Sequence, residues 1–256
     1  MAESKTAGRR VWWIVAIALA LVAAIVLGVM AYLAFVPGSF DADRYKTSSV
    51  AVSSDADVPL PANPIDFPTL RAENIDICGW ITVPNTNVDY PILQSSRDDD
   101  TFYLNHDAQG NYSSAGSIYI HRTNSYNFTD PNTVIYGHNM LNGSMFRTLH
   151  NFRDPEFFEA NDTFYIYTPG HILTYKVFAA YRYDNRLILA AFDFSDKEVF
   201  ASYIESCLNP TSMIRNVREG VSVTADDRIV TLSTCISDDR YRYLVQGVLI
   251  QDDITA

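Results

Sequence analysis

Five histidines and three cysteines carry the reactive side chains that matter here: His106, His121, His138, His150, His171, Cys78, Cys207 and Cys235. None of them has zinc-ligand spacing such as C-x2-C or H-E-x-x-H. No acidic run has calcium-loop spacing, and no glycine-rich loop could cradle a phosphate. The reading is therefore metal: none, and cofactors: none. What remains is a Cys–His nucleophile pair, in which an imidazole moves the protons that thiolate attack on a carbonyl requires. Cys235 ends the run Ile229-Val230-Thr231-Leu232-Ser233-Thr234 and opens a polar loop, Ser237-Asp238-Asp239. A thiol at a strand end meets substrate while a rigid scaffold holds it. The competing reading is a half-buried strand cysteine. Cys78, before Gly79-Trp80-Ile81, and Cys207, on the apolar face of a helix, read as core. His138 follows Val134-Ile135-Tyr136-Gly137, and by position alone such a histidine is more often a loop residue than a base. His150 reads as surface or packing, His171 as a solvated turn residue, and His106 and His121 as structural hydrogen bonders. Arg240 and Arg242 open the last strand and, two residues apart, point to the same side. A guanidinium beside a thiolate favours its ionisation and can donate to an oxyanion, although two surface arginines would look the same.

These side chains need a scaffold, and the chain reads as mostly β. Runs rich in β-branched and aromatic residues, bounded by turn signals, predict strands at Gly79–Val83, Val88–Leu93, Ser117–His121, Thr133–Tyr136, Thr163–Thr168, Ile172–Asp184, Arg228–Cys235 and Tyr243–Gln251. Eight strands at this spacing predict a closed or nearly closed β-barrel. Short helices are expected at Pro68–Asn74, Ser144–Phe152 and Pro155–Ala160. A longer one spans Ser195–Leu208, with Val199, Phe200, Tyr203, Ile204 and Cys207 on one face and Asp196 or Ser195 as its cap. The architecture predicted is an eight-stranded barrel with an N-terminal helix and a helical insertion before the last two strands.

The chain has 256 residues, 48% hydrophobic and 19% charged, which excludes a disordered or fibrous protein. A net charge of −11 excludes nucleic acid as a partner, since phosphates need a basic face. Three cysteines are too few for a disulfide scaffold. Val11 to Val36 carries no charge, and as a helix it would reach roughly 39 Å against a hydrocarbon core of about 30 Å. Trp12, Trp13 and Tyr32 sit where interfacial aromatics belong. A cleaved signal peptide is the rival reading, but its apolar region would be only about 7–15 residues. Lys5, Arg9 and Arg10, against Glu3, would keep the N-terminus in the cytoplasm. The expected organisation is a cytoplasmic tail at 1–10, a single N-terminal transmembrane helix at 11–36, an extracellular stalk at 37–64 and a catalytic domain at 65–256. The expected localisation is the cell membrane, single-pass type II, with the catalytic domain extracellular.

Several motifs, in order, resemble one family. Thr231-Leu232-Ser233-Thr234-Cys235 resembles the TLxTC signature of sortases. Tyr136-Gly137-His138-Asn139 with Gly143-Ser144-Met145-Phe146 resembles the histidine motif of the class B branch. Asn74-Ile75-Asp76, Gly79-Trp80-Ile81 and Val88-Asp89-Tyr90-Pro91 are similar to the class B opening. Tyr103-Leu104-Asn105-His106-Asp107 with Ala115-Gly116-Ser117-Ile118 resembles a further class B segment. The similarity runs from about Ile65 to Gln251.

The resemblance implies a cysteine transpeptidase on a sortase-type barrel, with Cys235 as nucleophile and His138 as general acid and base. Arg242 matches the family's catalytic arginine through Arg242-Tyr243-Leu244-Val245-Gln246-Gly247, a register that Arg240 does not fit. The loop from Cys235 to Arg242 is shorter than the usual class B form. Ser233 matches a groove-lining position, and Thr234 and Asn139 join it as expected substrate contacts. The implied reaction cleaves a sorting signal of the N/S-P-x-T-x type after Thr through a thioester. The implied partners are sorting-signal-bearing surface proteins, an amine of the peptidoglycan precursor or a pilin lysine, and the plasma membrane through the N-terminal helix. Ordinary pKa values near 8.5 and 6.5 leave few thiolate–imidazolium pairs at neutral pH, so turnover should be slow with a bell-shaped pH profile. A catalytically silent binding module and an L,D-transpeptidase stay as rival readings, although Ser233-Thr234-Cys235 is not the Ser-x-Gly-Cys setting of the latter.

Overall fold

The structure, a computed structural model, describes residues 12–13, 15–28, 41–47, 60–235 and 240–256. The chain divides into two units between Ser39 and Phe40. In the first, residues 12–13 and 15–28 are helical. A helix over 15–28 rises about 21 Å, short of the roughly 30 Å that a bilayer core requires. Among the described residues no helix is long and apolar enough to cross a membrane. The transmembrane helix expected at 11–36, and the single-pass type II localisation drawn from it, are corrected accordingly. Residues 1–11, 14 and 29–36 of that expectation lie outside the described residues.

The second unit is the expected barrel. Its strands are β1 (Ile77–Thr82), β2 (Asp89–Gln94), β3 (Ile118–Ile120), β4 (Asn132–Gly137), β5 (Thr163–Thr168), β6 (His171–Asp184), β7 (Arg215–Val217), β8 (Ile229–Cys235) and β9 (Tyr241–Ile254). The order β5-β1-β2-β3-β4-β8-β9-β6 closes on itself through β5–β6, and β7 is added on the far side of β6. The eight closing strands are those predicted. β7 was missed because Arg215-Asn216-Val217 is too short and polar to show alternation.

Alternation along each strand sorts its side chains. Ile81, Ile92, Ile118, Ile135, Ile166, Val177, Leu232 and Val245, one from each of the eight strands, meet in one buried cluster inside the barrel. Phe146, Leu149 and Phe152 join it from the segment that includes a 3-10 helix at Arg147–Arg153. The outward residues Val134, Tyr181, Ile229 and Leu244 pack beneath Phe200, Tyr203, Ile204 and Cys207 of the insertion helix. That helix, at Lys197–Leu208, is capped by Asp196, which accepts from the N–H groups of Glu198 and Val199. A buried polar network fixes helix and strands together. Gln246 Nε2 donates to Tyr203 Oη at 3.0 Å and to Thr231 Oγ1 at 3.1 Å, and Thr231 donates to Asn132 Oδ1 at 2.9 Å. A slip of one residue in β4, β8 or β9 would break it, so it pins the register that the site depends on.

On the opposite flank, the short helix Phe67–Glu73 buries Phe67 and Leu70 against Ile77, Trp80, Leu93 and Tyr119. Residues 41–47, within the stretch read as a stalk, fold onto this flank. Tyr45 is buried, its carbonyl accepts from Asp66 N at 2.9 Å, and Thr47 N donates to Pro64 O at 2.8 Å. Residues 37–40 and 48–59 of the expected stalk lie outside the described residues.

Candidate active site

Cys235, His138 and Arg242 come together at one end of three neighbouring strands. β4 and β8 run parallel, and Gly137 is the register partner of Thr234. His138 and Cys235 therefore follow side by side, at the spacing of adjacent strands, about 4.8 Å. β9 runs antiparallel to β8, and Arg242 is the register partner of Cys235. Directly opposed residues of an antiparallel pair point to the same face, with Cβ atoms about 4.5–5.5 Å apart. Val230 and Leu232 face the interior, so Cys235 and Ser233 face outward, and Tyr243 and Val245 inside place Arg242 outside. All three functional candidates thus share the outer face, between the N-terminal helix and the helical insertion.

Each is held locally. The His138 carbonyl accepts from Phe146 N at 2.9 Å, and an isolated bridge joins Asn139 to Met145. Gly137 faces inward where a Cβ would sit 2.5 Å from Ile118 Cδ1, so only glycine lets β4 run this close to the plug beneath it. His138 Nε2 donates to the Leu104 carbonyl at 2.7 Å. Arg242 donates to the Tyr241 carbonyl at 3.2 Å. Arg240 precedes β9, with its guanidinium 5.7 Å from the Tyr241 ring centre. Cys235 is partly exposed, whereas Cys78 and Cys207 are buried, as expected of core cysteines; all three are free thiols. Burial raises the Cys78 thiol to about 12, which keeps it protonated and unreactive.

The expected substrate contacts separate. Ser233 lies on the outer face with Cys235 but is buried. Asn139 is at the surface and accepts from Arg147 Nη1 at 3.0 Å. Thr234 is 1% exposed and, one residue out of phase, turns inward opposite Tyr243. The expectation of a groove contact there gives way to an interior place, because strand alternation sends neighbours to opposite faces.

Other residues enter the site without a sequence signal. Tyr119 on β3 and Tyr136 on β4 are register partners, and their rings stack with His121, the His121–Tyr136 centroids lying 4.7 Å apart. Burial raises the Tyr119 phenol to about 12, and Tyr119 senses the charges of both Cys235 and Arg242. Burial lowers the His121 pKa, so this ring stays neutral at pH 7. Leu104 contributes a carbonyl, which any residue type would supply. A cleft of about 440 Å³ lined by Asn124, Asp130, Asn132, Phe192 and Phe194 opens at the start of β4, a strand length from His138, and is separate from this chemistry.

Comparison with known proteins agrees with this geometry. Residues 81–250 match the model of the sortase domain. Sortase B of Listeria monocytogenes is 37% identical over 186 residues, 71% of this chain and 72% of the relative. Sortase B of B. anthracis superposes with a TM-score of 0.68 at 31% identity, covering 82% of this chain and 93% of that structure. Staphylococcus aureus sortase B, solved as a substrate complex, superposes with a TM-score of 0.65 at 28% identity, covering 74% of this chain and 86% of that structure. The chain belongs to the sortase family, in its class B branch, and is a cysteine transpeptidase.

Proposed function

We propose that this transpeptidase cleaves a sorting signal of the N/S-P-x-T-x type after Thr and joins the new carboxyl end to an amine of a cell wall precursor. In this reading the Cys235 thiolate attacks the Thr carbonyl carbon. The C–N bond breaks as protonated His138 gives its proton to the leaving amine, which leaves a thioester on Cys235. An incoming amine then attacks the thioester, His138 takes its proton, and Cys235 leaves as thiolate. Arg242 donates to the oxyanion of both tetrahedral intermediates. Ser233 and Asn139 flank the path of the signal, and Thr234 supports the strand from within.

The observation that carries the reading is the strand register. It sets Cys235 opposite Arg242 and beside the Gly137–Thr234 pair that leads into His138. A guanidinium on the same face as the thiol lies where negative charge develops. The buried position of the other two thiols supports Cys235 as the nucleophile.

The test incubates the full chain with quenched-fluorescent N/S-P-x-T-x peptides, with and without an amine acceptor, beside Cys235→Ala. Cysteine-dependent cleavage after Thr supports the proposal and identifies the signal. Transfer to a stem-peptide amine supports the wall-precursor acceptor, and transfer to a pilin lysine instead overturns that part. Cleavage that survives Cys235→Ala overturns the assignment of the nucleophile.

A further inference from the structure

The nucleophile's own main chain is gripped by a histidine that the reaction does not use. His150 sits in the 3-10 helix Arg147–Arg153, and its Nε2 lies 3.0 Å from the carbonyl oxygen of Cys235. A carbonyl only accepts, so Nε2 carries the proton and donates. The ring packs on Tyr243, centroids 5.1 Å apart, and Tyr243 takes the Arg153 guanidinium on its ring at 5.0 Å. His150 Nδ1 is buried, with no hydrogen-bond partner among the described residues. The only polar bond seen for the ring among the described residues is therefore the one to Cys235.

We propose that His150 is a positioning residue for the transpeptidation: its Nε2–H holds the Cys235 carbonyl and thereby fixes the main chain that carries the thiol. The inference rests on Cys235 being the nucleophile. Cys235 is the last residue of β8, beyond the last register pair with β4. A strand's final residue has lost part of its ladder, and its carbonyl needs another donor when it is not fully in water. With the carbonyl held, the rotation that aims Sγ at substrate is restricted. Without it, a drift of about 1 Å at the reacting atom can cost up to roughly 100-fold in rate. The charge state suits the task. Burial first, and repulsion from Arg153 next, lower the His150 pKa to about 4; the hydrogen bond to the Cys235 carbonyl opposes them, and Arg147 adds a smaller repulsion. The ring is thus a neutral donor near pH 7, unlike a histidine that must exchange protons.

Two substitutions separate hydrogen bond from packing. His150→Phe keeps a ring on Tyr243 and loses the N–H. His150→Gln loses the ring and keeps an N–H at about the same reach. Both are made in the full chain, with Cys235→Ala as control, and thermal melting checks that each is folded. Cleavage of the quenched-fluorescent peptides should fall on the order of tenfold in kcat for His150→Phe, with KM little changed, and recover for His150→Gln. Alkylation of Cys235 by iodoacetamide, followed by peptide mass mapping, reads the same effect without a substrate. Its pH profile should move for His150→Phe and coincide with wild type for His150→Gln. If His150→Phe matches wild type, or His150→Gln is as slow as His150→Phe, the proposal is overturned. If Cys235→Ala still cleaves, it is the nucleophile assignment that has failed.

Discussion

Cys235 and Arg242 face one another across the β8–β9 ladder as register partners. Thiol and guanidinium therefore project from the same face. An arginine one residue earlier or later would point into the barrel, and one two residues earlier would leave the ladder altogether. Ladder hydrogen bonds hold the pair in place, and that is how a site at a sheet rim becomes rigid.

With the oxyanion role proposed for it, Arg242→Ala should lower kcat/KM on the order of 10²-fold, the cost of removing such a donor. Arg240→Ala, before the start of β9, should cost under tenfold. Parallel peptide-cleavage assays decide. A mild Arg242→Ala beside a damaging Arg240→Ala would place the oxyanion elsewhere.

His138→Ala should remove amine transfer and cleavage together, because in the proposed reaction one imidazole serves both proton steps. Single-turnover mixing would show this directly. If His138→Ala still built thioester at the wild-type rate, the leaving amine would be drawing its proton from another group.

Gly137→Ala should harm both fold and catalysis. The added methyl would meet Ile118 Cδ1 at 2.5 Å and the Phe146 ring at 2.7 Å. Overpacking of this kind costs about 1–3 kcal/mol, or roughly 2–12 °C in Tm for a domain of this size. Because the strand must move where His138 begins, kcat should fall as well. An unchanged Tm would mean that β4 can shift freely, contrary to the packing described.

The depressed pKa of His150 makes a stability prediction with a definite sign. Its folded value is about 4 against an ordinary 6.5. Above pH 6.5 the ring is neutral folded and unfolded, so its neutral burial carries no pH dependence. Between 6.5 and 4 the unfolded chain takes up a proton that the folded one refuses, and stability falls as pH falls. Below 4 the loss is complete. His150→Phe should flatten this part of the Tm-against-pH curve between 4 and 6.5. Identical slopes for the two proteins would show that the ring titrates normally in the fold.

Much of the barrel was legible because strand signals are local. Alternating β-branched and aromatic residues between turns, as in Thr163–Thr168, declare a half-buried strand from neighbours alone. The cap at Asp196 and the apolar face of Lys197–Leu208 were legible for the same reason. An apolar run was a weaker guide: Val11–Val36 looked long enough to span a bilayer, yet the described helix over 15–28 is too short. His150 was read as surface or packing, since nothing in Leu149-His150-Asn151 marks a donor aimed at a distant strand end.

By itself, the sequence determined the strands, an acidic composition unsuited to nucleic acid, and a cysteine placed where a strand meets a loop. Family likeness in its motifs added the roles. The tertiary structure alone decided that β4 lies parallel to β8, bringing His138 beside Cys235. It also decided that Arg242 opposes the thiol, that Thr234 turns inward, and that His150 holds the Cys235 carbonyl. The physical reason is the range of the forces. Backbone preference and hydrophobic alternation act between residues near in the chain. Strand pairing and hydrogen bonds between distant segments are settled only when the barrel closes.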